Sequence, residues 1–461
     1  MVMLSCDDMR ARFAAALSDM YRREVPQYGT LLKLVSEINT EEKYEMGPCC
    51  DTKERVEVER HGAIRLGSAA ELAMMRRLFA VMGMYPVGYY DLTVAGLPVH
   101  ATGFRPIQED SLQRNPFRVF TSLLRLDLIQ DENLRAKAKS ILEQRQIFTP
   151  RCIELIKGFE ASHSFSKETA QEFLNEALET FRWHESSTVD MATYRDLEAS
   201  HPLIADIVCF KGPHINHLTP RVLHIDKAQA AMQQHGLQAK EVVEGPPPRT
   251  NLILLRQTSF LAVEESIAFS DGSEKGGKHR ARFGEIEQRG AALTPKGRRL
   301  YDELLARFLR AAEGKDASTR QELLAQHFAE FPDDLETLRR QGLAYFRYGL
   351  GTPRRAVSNP TNMDDLVSSG VLTYETITYE DFLPASAAGI FRSNLGACKT
   401  NSEVQSSDQG EFEKAMGCSV QDPFELYSNI EKSSITECLE VLKRVSWRSE
   451  YGTQGYSDMK L

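Results

Sequence analysis

The sequence predicts an α+β protein with a central mixed or antiparallel β-structure wrapped by helices. Strand-like segments recur far apart in the chain, the helical blocks between them are longer than simple βαβ crossovers require, and residues 86–106 read as a β-hairpin. A single domain over 1–461 follows, with a strand-rich core from about 55–106, 201–290 and 370–395. Helical additions are expected at 7–45, 115–200, 294–350 and 405–447.

Taken in order, residues 7–39 carry apolar side chains at helical spacing interrupted at Pro26, which predicts two helices. A polar loop over 41–54 leads into "VEVERHGAIRLG", read as a strand in which Glu57, Glu59, His61, Ala63 and Arg65 share one face. That face is either wet or lines a site. Ser68 as N-cap and Gly83 as stop bound a helix over "SAAELAMMRRLFAVMG". In residues 86–106 the alternation turns at Gly-Leu-Pro. The stretch to about residue 200 is helical in pattern, including "KETAQEFLNEALETFRWH". Strand-like composition returns in "LIADIVCFKGPHINHLTPR", "NLILLRQTSFLAVEESIAF" and "KHRARFGEIEQRGAAL". Thr294 and Pro295 then stand as N-cap and first residue of the next helix. A β-rich section over 370–395 precedes a last helix in "SSITECLEVLKRVSW", and the tail "YGTQGYSDMKL" is placed outside the ordered part.

With 56 basic and 65 acidic residues the formal charge is -9, which offers no general attraction for nucleic acid or anionic lipid. No apolar run reaches the length of about 18 residues that a membrane span needs. The eight cysteines are scattered without a CxxC, and no secretory signal is apparent, so a reducing cytoplasm is expected. Cys49 and Cys50 are adjacent and cannot readily chelate one ion together, which makes them ordinary loop thiols. A small-molecule substrate is the default expectation.

Three segments hold residues suited to chemistry. "GPHINHLTPR" offers His214 and His217, but Pro213 and Pro220 disfavour a helix, and in an extended chain the two imidazoles face opposite ways, so only one is expected as a ligand. In "HRARFGEIEQRG", Ala281, Phe283, Glu285 and Glu287 share a face, and a carboxylate there must be paired or bound to an ion. A salt bridge from Glu285 to Arg280, Arg282 or Arg289 is the plain alternative. With His217 taken from its pair, His61, His217 and Glu285 would form two imidazoles and a carboxylate, which occupy one face of an octahedral ion and leave the rest open, as in non-haem Fe(II) oxygenases. Open coordination points to catalysis, whereas a structural zinc site closes four positions, usually with thiolates. Arg65 lies about 13 Å along the strand from His61 and could reach back to hold a substrate carboxylate through its planar fork. Pairing with Glu57 or Glu59 is the alternative. Gln257, Thr258 and Ser259 are candidates for support around the ion, and His100 for lining the pocket.

The motifs "VERHGAIRLG", "FAVMGMYPVGYYDL", "NPFRVFTSLLRLDLI", "QRQIFTPRC", "FKGPHINHLTPR", "LLRQTSF", "ARFGEIEQRG" and "YEDFLPASAAGIF" closely resemble those of the 2-oxoadipate dioxygenase/decarboxylase family, also called 2-hydroxyglutarate synthase. The likeness spans residues 8–445. It implies an Fe(II) enzyme of lysine breakdown that converts 2-oxoadipate and O2 into D-2-hydroxyglutarate and CO2, on a β half-barrel related to the vicinal-oxygen-chelate fold. The family's metal ligands fall on His61, His217 rather than His214, and Glu285, and its substrate contacts on His61, Arg65, Ala385 and Ser386. Position 385 departs from the family pattern, which favours valine there. The substrate's own 2-oxo acid would chelate the ion, so no separate 2-oxo acid is called for. A zinc-dependent hydrolase or isomerase on the same ligand set is the rival enzyme, and a scaffold in which the three residues only form salt bridges is the rival without catalysis.

Overall fold

The computed structural model describes residues 3–42, 51–272, 277–280, 282–352, 362–383 and 408–448. Helix Cys6–Glu24 begins where Ser5 accepts from the Asp8 amide and Asp8 returns a bond to the Ser5 amide, which satisfies two otherwise orphaned donors. Pro26 opens the second helix, Pro26–Glu41, at the predicted break. The predicted strand over 56–67 is corrected at its start. Lys53–Val58 is a short helix capped by Thr52, because buried Arg55 pairs with Asp51 one helical turn earlier and Lys53 faces Glu57 one turn later. Glu57 and Glu59 therefore do not share a strand face with His61.

Thirteen strands are described: β1 Met3–Leu4, β2 Arg60–Leu66, β3 Tyr85–Asp91, β4 Val99–Arg105, β5 Arg118–Leu124, β6 Phe165–Ser166, β7 His217–Pro220, β8 Leu255–Ser259, β9 Glu264–Ile267, β10 Gly277–Arg280, β11 Glu285–Arg289, β12 Phe346–Leu350 and β13 Leu372–Thr376. Five of them form a mixed sheet in the order β3-β4-β5-β2-β7, parallel only between β2 and β5. Beyond β7 the chain bridges to β11 through Arg221 and Glu287, and β11 pairs antiparallel with β8. The predicted hairpin is β3 and β4, and the Ser68 and Thr294 caps start helices Ala69–Val81 and Pro295–Ala311 as expected.

Both faces of the sheet are covered. Ile64, Leu66, Phe104 and Val119 pack with Phe13, Leu17, Phe79 and Phe181 on one side. Ala63, Ala101, Phe120 and Leu124 pack with Leu197, Leu203, Ile207 and Phe382 on the other. That double cover explains two further corrections. β5 lies in a region predicted as helical, because a strand buried on both faces shows no alternation to read. Pro202–Val208, predicted as strand, is a helix with six of its seven residues buried, so its apolar pattern lacks a polar face. A third correction is β12, which pairs with β13 inside the segment predicted as helix to 350. No helix among the described residues is long and apolar enough to cross a membrane. The call for Cys49 and Cys50, the contact pair Ala385 and Ser386, Ala281 and the tail from 451 lie outside the described residues.

Candidate metal centre

The second residue of β2, the first of β7 and the first of β11 meet below Phe382 and Phe283. In β2 the alternation places His61, Ala63 and Arg65 on one face, and Gly62 on the other lets β2 approach residues 215–218, at the start of β7, closely. A Cβ there would stand 2.7 Å from Ile215 and 3.3 Å from the His217 carbonyl. Pairing of Ala63 with His217 brings the second imidazole beside the first, with ring centres 5.4 Å apart and planes nearly perpendicular. Glu285 completes the group: its Oε1 is 3.6 Å from His61 Nε2 and its Oε2 is 3.6 Å from His217 Nε2. One ligand atom from each of the three residues lies within 4.8 Å of the others, and all three side chains are buried. Phe382 stands edge-on to His61 at 5.2 Å and Phe283 lies 4.7 Å from His217, which gives the group apolar walls.

The electrostatics suit a cation. Burial, and then the neighbouring Glu287, push the Glu285 carboxyl well above the usual range. Burial, then His61 and Arg65, push the His217 imidazole well below its usual value, and burial lowers His61 against the pull of Glu287. Glu285 Oε2 and His217 Nδ1 have no hydrogen-bond partner among the described residues. Neutral imidazoles and an under-satisfied carboxylate form a donor set that a divalent ion would complete, and three protein donors leave room for further ligands.

Around the three residues lies a buried ionic frame that the sequence reading did not single out. His61 Nδ1 is 2.9 Å from Glu287 Oε2, and Glu287 is gripped by Arg289 through two bonds of 2.8 and 2.9 Å. Burial would raise the Glu287 carboxyl, but Arg289 and His61 outweigh it and hold it at about 2. Glu287 is linked through Arg118 to Glu59, which also meets Arg221. The salt-bridge alternative for Glu285 thus describes Glu287 instead, since Arg289 takes Glu287, Arg280 takes Glu264, and Arg282 takes Glu265 and Glu24. The available signal was the alternation itself: Glu287 shares the Glu285 face, and each carboxylate buried there requires its own partner.

Gln257 on β8 donates to Glu285 Oε1, as expected of a supporting residue, whereas the Thr258 and Ser259 hydroxyls reach no partner among the described residues. Replacing Gln257 with leucine is expected to weaken divalent-metal binding about tenfold, measured by metal titration, because the carboxylate loses the bond that orients it. Arg65 pairs with Asp206, not with Glu57 or Glu59. His214 turns away to Asp206, so only His217 of its pair joins the triad. His100 packs against Tyr89 and Phe412, and burial with Arg125 pushes it to about 4.

The sequence model of the family described as 2-oxoadipate dioxygenase/decarboxylase matches residues 13–394. The chain is 54% identical over 447 residues to a protein of Escherichia coli K12 named 2-oxoadipate dioxygenase/decarboxylase, covering 94% of this chain and 98% of that one. A protein of the same name from Pseudomonas putida is 52% identical over 454 residues, covering 95% and 98%. The fold is similar to the crystal structure of the hydroxyglutarate synthase from Pseudomonas putida in complex with 2-oxoadipate, at TM-score 0.87 and 52% identity, covering 96% of this chain and 99% of that one.

Proposed function

Because the chain belongs to the 2-oxoadipate dioxygenase/decarboxylase family, we propose that it converts 2-oxoadipate and O2 into D-2-hydroxyglutarate and CO2 in lysine catabolism, using Fe(II) held by His61, His217 and Glu285. The observation that carries this reading is the convergence of two imidazoles and one carboxylate from three strands, with ligand atoms within 4.8 Å of one another. The balance is internal to substrate and oxygen: 2-oxoadipate plus O2 contains the atoms of 2-hydroxyglutarate plus CO2. Bound there, a ferrous ion supplies Lewis acidity and electrons at a point where a 2-oxo acid and O2 can both be held.

The protein's own part is orientation and exclusion of water. Gln257 holds Glu285, and Glu287 stands at His61 Nδ1, which favours the tautomer that leaves Nε2 free to ligate. Phe382 and Phe283 keep the centre dry. Arg65, on the His61 face of β2, would take the distal carboxylate of the diacid, with Ala385 and Ser386 as further contacts from outside the described residues. We read the whole chain as one cytoplasmic catalytic domain, with the strands from β2 through β7 to β11 and β8 as a half-barrel of the vicinal-oxygen-chelate kind. The bridge between Arg221 and Glu287 that carries the sheet from β7 to β11 supports that reading.

The test is stoichiometry. Purified protein loaded with Fe(II) is expected to consume one O2 and release one CO2 per 2-oxoadipate, followed with an oxygen electrode and by mass spectrometry. Turnover under strict anaerobiosis, or with zinc in place of iron, would replace the oxygenase with the hydrolase or isomerase reading.

A further inference from the structure

A second buried cluster stands on the same side of β2 and is not part of the triad. The Arg65 guanidinium is ion-paired through Nη1 to Asp206 Oδ2, with both side chains 1% exposed. Asp206 Oδ1 is met by His279 Nε2 at 2.8 Å and faced by His214 Nε2 at 3.4 Å. The other nitrogen of His279, Nδ1, lies 3.0 Å from the Tyr194 hydroxyl. Trp183 stacks on His279 with planes 7° apart and meets His214 edge-on at 4.8 Å, so both imidazoles are caged by the indole. His214 sits at φ +27°, a backbone conformation that a side-chain-bearing residue rarely adopts. Burial would raise the Asp206 carboxyl, but Arg65 and His214 outweigh it and hold it well below the usual range.

Asp206, His214 and His279 also have the composition and spacing of a metal group. A guanidinium already occupies the carboxylate, however, and both imidazoles present Nε2 to the same oxygen. A divalent ion beside buried Arg65 would set like charges together in a medium of low dielectric. The cluster instead has the form of a mount for one arginine.

We propose that Asp206, backed by His214 and His279, is the positioning residue for Arg65, and through it imposes the requirement for a second carboxylate at the far end of the 2-oxo acid. This rests on reading Arg65 as the carboxylate clamp. A buried arginine needs an anion when substrate is absent, and Asp206 supplies one. A carboxylate with both oxygens available would accept from two N–H groups along one edge of the guanidinium fork. With Oδ1 engaged by imidazole, Asp206 is held to one oxygen for Arg65, and the plane of the fork is set before a ligand arrives.

The experiment compares 2-oxoadipate with 2-oxohexanoate, which has the same chain length and no distal carboxylate. Initial rates are measured on Fe(II)-loaded enzyme, and binding by anaerobic calorimetry. Asp206→Asn is expected to raise KM and Kd for 2-oxoadipate about tenfold, to leave kcat within about threefold, and to leave the constants for 2-oxohexanoate unchanged. Unchanged or tighter binding of 2-oxoadipate overturns the proposal, as does an equal loss for both acids, which marks general loosening. Arg65→Ala separates the two readings. If it keeps the preference for the diacid, the clamp itself fails; if it abolishes the preference while Asp206→Asn behaves as wild type, the clamp stands and the positioning role falls. Where Asp206→Asn does not fold, His279→Phe carries the test, since it keeps a ring on Trp183 and deletes Nε2. A selective rise of about threefold for 2-oxoadipate supports the proposal, and no change overturns it.

Discussion

Glu285→Gln is expected to lower turnover of 2-oxoadipate on the order of 100-fold or more and to abolish stabilisation by divalent metal, while metal-free variant melts at or above the temperature of metal-free wild type. The sign of the second effect follows from the site. In the metal-free protein burial and Glu287 disfavour the charged Glu285 carboxylate, so its folded pKa lies above the unfolded value. Such an acid subtracts stability at every pH above its unfolded pKa, and an amide of the same shape removes that cost. A residue whose role was an ordinary salt bridge would behave in the opposite way, because its loss would strand a buried partner. Melting curves with excess EDTA and with added Fe(II) under anaerobic conditions read both effects. Wild type should gain stability on metal addition and the variant should not.

The parts of this site that were legible in the sequence are those where a charged or imidazole side chain breaks an apolar alternation. His61, Ala63 and Arg65 share a face as their spacing requires, and Glu285 with Glu287 could be placed together before any contact was known. What stayed hidden was set by tertiary burial. β5 is sealed on both faces and carries no two-fold pattern, although it is the neighbour that holds β2 in place. Pro202–Val208 brings Asp206 to Arg65 from a helix that reads as a strand, because only one of its buried residues is charged. The Val-Glu-Val-Glu alternation before His61 pointed to a longer β2, but the pairing of Arg55 with Asp51 across one turn favours helix. In each case the local pattern was real and a contact from more distant sequence, or a cap, decided the outcome. Ion-pair partners are the least legible class: Arg65 and Asp206 are 141 residues apart, and Arg118 and Glu380 are 262 apart.

Glu59→Gln is expected to destabilise the protein by about 3 kcal/mol near neutral pH, without removing any residue of the triad. Glu59 is fully buried at the end of helix Lys53–Val58, immediately before β2, and meets Arg118 and Arg221, each at 2.9 Å. Arg289 and Arg55 lie slightly farther, at 3.5 and 3.8 Å. Burial alone would raise its carboxyl, but Arg221, then Arg118 and Arg55, outweigh that and hold it well below the usual range. A depressed folded pKa contributes stability that is present above the unfolded value of about 4.3 and is lost as pH falls from there toward the folded value. The gap between wild type and Glu59→Gln should accordingly be wide at pH 7 and narrow steadily below about pH 4.3, where the unfolded chain takes up the proton that the folded carboxylate still resists. Denaturant titrations of both proteins across that range measure it, and a gap independent of pH would show that the amide acts through packing alone. Because Arg118 is shared between Glu59 and Glu287, the loss should propagate to the group that orients His61. Metal affinity is thus expected to fall modestly in a variant whose altered side chain lies outside the triad, and the ionic frame, although built from stability terms, is also what holds the first imidazole in register with the other two ligands.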